Sequence, residues 1–237
     1  MARGEEVVVA CVALDQPAAV VARLAEPLSA DERARAARFR GDELRRRFVV
    51  AHGALRLLAA AQLELDPAAL CFAGAEGKRP TLVHLPPGRG LSLSLSHSGE
   101  LALIAMTDVA PVGVDVEQVR SLDDPWRLAE TVFTTDEIRM LRAEPPARLM
   151  EAWHAGWTRK EATLKTIGTG LGVDPRAIEL LPPAFVPTTT SRELARELGE
   201  APWTVMPLRP APGYVGALAV RRRPARATLL HWPRQPA

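Results

Sequence analysis

Two short stretches carry the residues best suited to chemistry. In Trp157-Thr158-Arg159-Lys160-Glu161-Ala162-Thr163-Leu164-Lys165, neither Gly nor Pro interrupts a helix. Trp157, Lys160, Glu161, Leu164 and Lys165 recur at i, i+3, i+4, i+7 and i+8, the spacing of a face that ordinarily packs on a core. A carboxylate and two ammonium groups on such a face suit phosphate chemistry: Lys160 and Lys165 on phosphate oxygens, Glu161 as an acid ligand. A partly exposed helix with an i,i+4 Glu161–Lys165 pair would account for the same charges. Trp157, on the same stripe, argues for burial.

The second stretch is Gly113-Val114-Asp115-Val116-Glu117. On a strand, Asp115 and Glu117 face one side, and Val114 and Val116 face the other, toward the core. Two carboxylates this close repel unless a positive charge lies between them. A hard cation such as Mg²⁺, completed by waters and substrate phosphates, is a natural filler. Two acids on the wet side of an exposed strand would read the same way. Ser96-His97-Ser98 at a strand end could hold an anion, and equally forms an ordinary hairpin. Gly77-Lys78-Arg79-Pro80 and Arg38, Arg45, Arg46 and Arg47 could contact phosphate, though most arginines of this chain belong on its solvated surface.

The surrounding elements must position these groups. Residues 6–14 read as a strand. Residues 29–39 read as a helix with Ser29 and Glu32 spaced for a capping box, and 42–62 as a helix with Leu44, Phe48, Ala51, Leu55 and Leu58 on one stripe. In 91–98, leucines and serines alternate as in a half-buried strand, and a turn at 98–100 leads into a returning strand at 101–107. After the break at 108–111 the order repeats: a strand at 112–119, helices at 134–143 and 146–168, then strands at Ala177–Leu181, Trp203–Leu208, Tyr214–Val220 and in the tail. Gly168–Gly172 follows a helix and suits its C-terminus. The stretch 181–202 fits either a helix or a loop. This order predicts an α/β protein of the α+β type with two similar lobes, 1–110 and 111–237.

With 237 residues, 47% of them hydrophobic, the chain can bury a sizeable core. A net charge of +2 gives no argument for nucleic acid. No apolar run approaches membrane-spanning length and no cleavage-site pattern follows the N-terminus, so a soluble cytoplasmic protein is expected. Cys11 and Cys71 match no metal spacing and read as buried thiols. Of 30 basic residues only Lys78, Lys160 and Lys165 are lysine. Two of the three lie in the first stretch, where a compact ammonium rather than a planar fork is wanted. No P-loop and no Gly-x-Gly-x-x-Gly after a strand is present.

The order Gly-Lys-Arg-Pro, Ser-His-Ser, Gly-x-Asp-x-Glu, Trp-x-x-Lys-Glu-x-x-x-Lys resembles the phosphopantetheinyl transferases of the larger, surfactin-synthetase-activating type. The resemblance runs from about residue 29 to 172. It implies two lobes related by a pseudo-twofold axis, each a small antiparallel sheet on a long helix, with coenzyme A in the cleft between them and a monomer as the working unit. It implies transfer of 4′-phosphopantetheine from coenzyme A to a serine of an apo acyl or peptidyl carrier protein, releasing adenosine 3′,5′-bisphosphate. Asp115, Glu117 and Glu161 would hold Mg²⁺, and Lys160 and Lys165 would offset charge on the phosphates. Glu161 would deprotonate the serine, with Glu137 as the rival base. Arg47, Ser96, His97 and one of Lys78 and Arg79 would bind coenzyme A around its 3′-phosphate. Leu122, Trp126, Arg139 and Met140 could receive the carrier. Where family members often carry Lys, this chain has Glu32. A silent coenzyme A or carrier binder of the same fold is the alternative.

Overall fold

The computed structural model describes residues 6–73, 81–168, 173–182, 185–223 and 226–232. Its strands are β1 (Glu6–Ala13), β2 (Cys71–Ala73), β3 (Thr81–Val83), β4 (Ser92–Ser98), β5 (Leu101–Thr107), β6 (Val112–Gln118), β7 (Thr204–Leu208), β8 (Tyr214–Val220) and β9 (Arg226–Trp232). Its helices are α1 (Ala18–Ala25), α2 (Ala30–Arg38), α3 (Asp42–Leu63), α4 (Pro125–Val132), α5 (Thr135–Ala143), α6 (Leu149–Ile167) and α7 (Arg192–Leu198). The strands form a four-stranded sheet β4-β5-β1-β9, a three-stranded sheet β6-β8-β7 and the small pair β2-β3.

These elements stack as helix, sheet, sheet, helix. Strands β1 and β5 are apolar on both faces because each face meets a layer. Ala10, Val12, Ala102, Ile104 and Met106 pack with α3. Val7, Val9, Cys11, Leu103 and Ala105 pack on Val112, Val114, Val116, Leu218 and Val220 of the second sheet. Helix α6 covers that sheet's far side, with Ala162 and Leu164 beside Ala217 and Ala219. Helix α3 is held closely by α1: a Cβ on Gly53 would lie 2.3 Å from the Leu24 carbonyl oxygen.

Local signals and structure agree where a specific side chain closes a turn. Ser29 and Glu32 form the expected capping box at α2. Thr134 and Glu137 form another at α5. Gly168, at φ 85°, ends α6. Elsewhere the structure corrects the reading. Helices α1 and α4 occupy stretches that carried no helix expectation. Residues 177–181 form no strand, only a bridge between Glu179 and Thr188, and α7 lies within the ambiguous 181–202. Leu44 is exposed. Cys11 is buried, but Cys71 is exposed. Strand β9 pairs in parallel with β1, so the tail returns to the sheet of the first half, which is not purely antiparallel. Burying Leu229 on the interior cluster favours that return. Among the described residues no helix is long and apolar enough to cross a membrane.

Candidate active site

The two motifs meet because β6 lies against α6. Gly113 makes the approach possible: a Cβ there would sit 2.0 Å from the Ala162 carbonyl oxygen and 2.6 Å from Thr166 Oγ1. Thr166 Oγ1 donates to the Ala219 carbonyl, 3.0 Å away, tying the helix to β8 as well. With strand and helix so close, Asp115, Glu117, Glu161 and Lys165 come together between β6 and α6.

The other wall is β4, whose serines point at β6. Ser92 and Ser94 Oγ accept from the Val112 and Val114 N–H groups at 3.1 and 3.0 Å. Farther along, Ser96 Oγ donates to Asp115 Oδ1 and Ser98 Oγ to Glu117 Oε2, each at 2.6 Å. The polar alternation in 91–98 is therefore a seam between the two sheets. Its first half satisfies backbone, and its second half orients the acids.

Asp115 is buried, and Lys165 Nζ lies 2.7 Å from its Oδ1. Asp115 Oδ2 and Glu161 Oε1 are buried without a hydrogen-bond partner. Burial pushes the Glu161 carboxyl above its ordinary pKa; Asp115 and Glu117 push the same way, against Lys165. Among the described residues no three acidic, His or Cys side chains converge tightly enough to form a finished metal site. Asp115 Oδ1 is taken by Lys165 and Ser96. Two orphaned carboxylate oxygens facing a third acid nevertheless fit a hard cation in donor chemistry.

The rim beyond β4 is basic. His97 is exposed at the strand end. Its pKa is held below the ordinary imidazole value, first by the protein packed around it, then by His52, Lys165 and Arg35, with Asp115 opposing. His52 stacks on Phe48 with centroids 4.0 Å apart, and the Arg35 guanidinium lies 5.1 Å from the same ring. The sequence reading missed His52. Its only signal is an i,i+4 Phe48–His52 pair on α3, which also suits ordinary packing.

Other expected residues lie elsewhere. Lys160 faces away from the cleft. At about 100° per residue it sits on the far edge of the stripe from Lys165, roughly 140° around the helix. Its ammonium, 1% exposed, pairs with Glu137 Oε2 at 2.7 Å and donates to the carbonyls of Pro175 and Ile178. Glu137 also accepts from the Thr134 and Leu180 N–H groups at 2.8 and 2.9 Å. Lys160 and Glu137 thus form a buried clamp that fixes the 175–180 segment, and neither group is available to a phosphate or a serine in the cleft. Arg47 is held by Asp15 Oδ1 at 2.9 Å and Glu43 Oε1 at 2.8 Å. Lys78 and Arg79 lie outside the described residues. Of the suggested docking residues, Arg139 and Met140 are exposed, whereas Leu122 and Trp126 pack on the cluster of Phe133, Leu141 and Trp153. Glu32 is spent on the buried Arg56, 2.6 Å from its Nε.

Known proteins carry the same pattern. Residues 111–219, which span β6 through most of β8, match the sequence model of the 4′-phosphopantetheinyl transferase superfamily. The chain is 35% identical to the 4′-phosphopantetheinyl transferase HetI of Nostoc sp. (strain PCC 7120 / SAG 25.82 / UTEX 2576), over 87% of this chain and 84% of that protein. It is 29% identical to a 4′-phosphopantetheinyl transferase of Bacillus subtilis over 64% of this chain and 65% of the relative. With the 4′-phosphopantetheinyl transferase AcpT of Salmonella typhi the identity is 42% over 34% of this chain and 42% of the relative. The chain therefore belongs to the 4′-phosphopantetheinyl transferase superfamily, a superfamily of transferases.

Proposed function

We propose that the cleft between β4, β6 and α6 transfers 4′-phosphopantetheine from coenzyme A to a serine hydroxyl of an apo carrier protein. We read the two sheet-and-helix layers as the lobes of the larger, surfactin-synthetase-activating type, working as a monomer in the cytoplasm. The observation that carries the reading is the pair of orphaned oxygens, Asp115 Oδ2 and Glu161 Oε1, beside Lys165 and a basic rim. That sequence of charges matches a diphosphate flanked by a nucleophile.

Asp115, Glu117 and Glu161 would hold Mg²⁺, which when bound supplies positive charge against the diphosphate. Ser96 and Ser98 orient two of those acids before substrate arrives. Lys165 offsets charge that develops on the transferred phosphate as its bond to the leaving nucleotide breaks. The serine oxygen attacks phosphorus in line, and its proton goes to the Glu161 carboxylate. A carboxyl raised above its ordinary range is a better base near neutral pH than an unperturbed one. His97, with His52 and Arg35 behind it, would receive the 3′-phosphate of coenzyme A. Lys160 contributes by fixing α6 rather than by touching phosphate.

Intact-mass spectrometry of several apo carrier domains, after incubation with the protein, coenzyme A and Mg²⁺, tests the proposal. One added phosphopantetheine, lost in Glu161→Gln and without metal, is the expected result. No gain on any carrier despite coenzyme A binding would favour the silent binder. Neither gain nor binding would overturn the site.

A further inference from the structure

Behind α6, on the side away from the cleft, lies a cavity of about 280 Å³. Phe133, Leu141, Ala155, Gly156, Leu180 and Phe185 give it apolar walls. Arg159 also lines it, and at about 100° per residue stands roughly 160° around the helix from Glu161. The cavity is thus separate from the proposed transfer site.

The lining carries three acidic and three basic side chains, Glu137, Glu144, Glu151, Arg148, Arg159 and Arg209. Glu137 is taken by Lys160, and Glu151 by Arg209 at 2.7 Å. Arg148 is exposed. Arg159 is half-buried, and its Nε is fully buried with no hydrogen-bond partner. Burial holds its pKa below the usual guanidinium value, and Arg209 adds to this against Glu137. Its guanidinium carbon lies 4.1 Å from the centre of the Phe185 ring. Phe185 itself sits at φ 49°, a conformation a bulky side chain rarely adopts unless its surroundings hold it there. A guanidinium in the wall of a largely apolar hollow, stacked on an aromatic, suits a ligand with an anionic end.

We propose that this cavity binds a small amphiphile, a carboxylate on a short apolar stem, with the carboxylate on Arg159 and the stem against Phe133, Leu141, Leu180 and Phe185. The volume is at the small end for ligand pockets, which limits the stem to a short chain. A neutral alcohol of the same length offers Arg159 only an uncharged acceptor and binds less well.

Octanoate is the probe, octanol its neutral counterpart, and the readout is the NMR signal of ¹³C-methyl methionine in the whole protein. Met140 lines the cavity, while Met106 lies in the α3 core and serves as the internal control. Octanoate should shift Met140 saturably and leave Met106 unmoved, with octanol weaker. Arg159→Gln should weaken octanoate by about tenfold or more, the loss expected for a charge-assisted hydrogen bond. Ala155→Leu, which fills the hollow and keeps the charge, should abolish the shift and decides the matter if Arg159→Gln fails to fold. No saturable Met140 shift up to about 10 mM, beyond the weak end of specific binding, would overturn the proposal. So would equal affinity for octanol, or octanoate binding unchanged in either folded variant.

Discussion

Glu161 should destabilise the metal-free protein, and removing its charge should reveal by how much. Its Oε1 is buried with no partner and faces Asp115, whose Oδ2 is equally orphaned. An unsatisfied buried acceptor costs about 1–3 kcal/mol. Glu161→Gln keeps the shape and removes the charge, so the variant should be more stable by that order. In a chain of this size the gain corresponds to a Tm about 2–10 °C higher. The pH dependence fixes the cause. The folded pKa of Glu161 lies above its unfolded value, so the folded state binds the proton more tightly. The stability of the wild type is then fully present below the unfolded carboxylate pKa and falls as pH rises through the folded pKa. The advantage of Glu161→Gln should therefore vanish in acid and reach its plateau above that window. Scanning calorimetry in a chelating buffer, from about pH 4 to about pH 9, spans the change. Mg²⁺ should then raise the Tm of the wild type more than that of the variant. Equal or lower stability of Glu161→Gln at alkaline pH, or a gain independent of pH, would refute the reasoning.

Three further outcomes follow from the same contacts. Lys160→Ala strands Glu137 in the interior and should cost about 3–5 kcal/mol in denaturant unfolding, whereas Lys160→Met with Glu137→Gln should recover much of the loss. Gly113→Ala forces a Cβ against the backbone of α6 and should cost about 3 kcal/mol or more, with altered near-ultraviolet circular dichroism as β6 and α6 part. Burial alone would raise the Glu32 pKa, but hydrogen bonds from His52 and the Ser29 N–H, together with Arg56, bring it down to about 2. Its stabilising contribution is present above the unfolded carboxylate value and should be lost as pH falls toward 2, a slope absent in Glu32→Gln.

Much of the fold is legible in local pattern because its signals are local. A capping box needs only the residues at its two ends, and α2 begins where Ser29 and Glu32 place it. The apolar runs read as strands at 6–14 and 101–107 are β1 and β5. Short segments without such marks escape: α1 opens on Pro17 with no side-chain cap. Residues 177–181 look like a strand by composition but find no partner strand beyond one bridge. The parallel pairing of β9 with β1 joins residues more than two hundred positions apart, and no local spacing encodes it.

The candidate site divides in the same way. Residue type and spacing by themselves put Asp115 and Glu117 on one side of a strand and Glu161 and Lys165 on one face of a helix, because a strand alternates every second residue and a helix returns every three or four. They also tied the chain to its family. Tertiary structure decided which charges meet. Lys160 and Lys165 flank the same stripe, yet one meets Glu137 and two carbonyls while the other meets Asp115. A helical repeat fixes the angle at which a side chain leaves the helix, but the partner waiting there comes from segments distant in sequence, and burial sets whether that charge is consumed in holding the fold or left to meet a substrate.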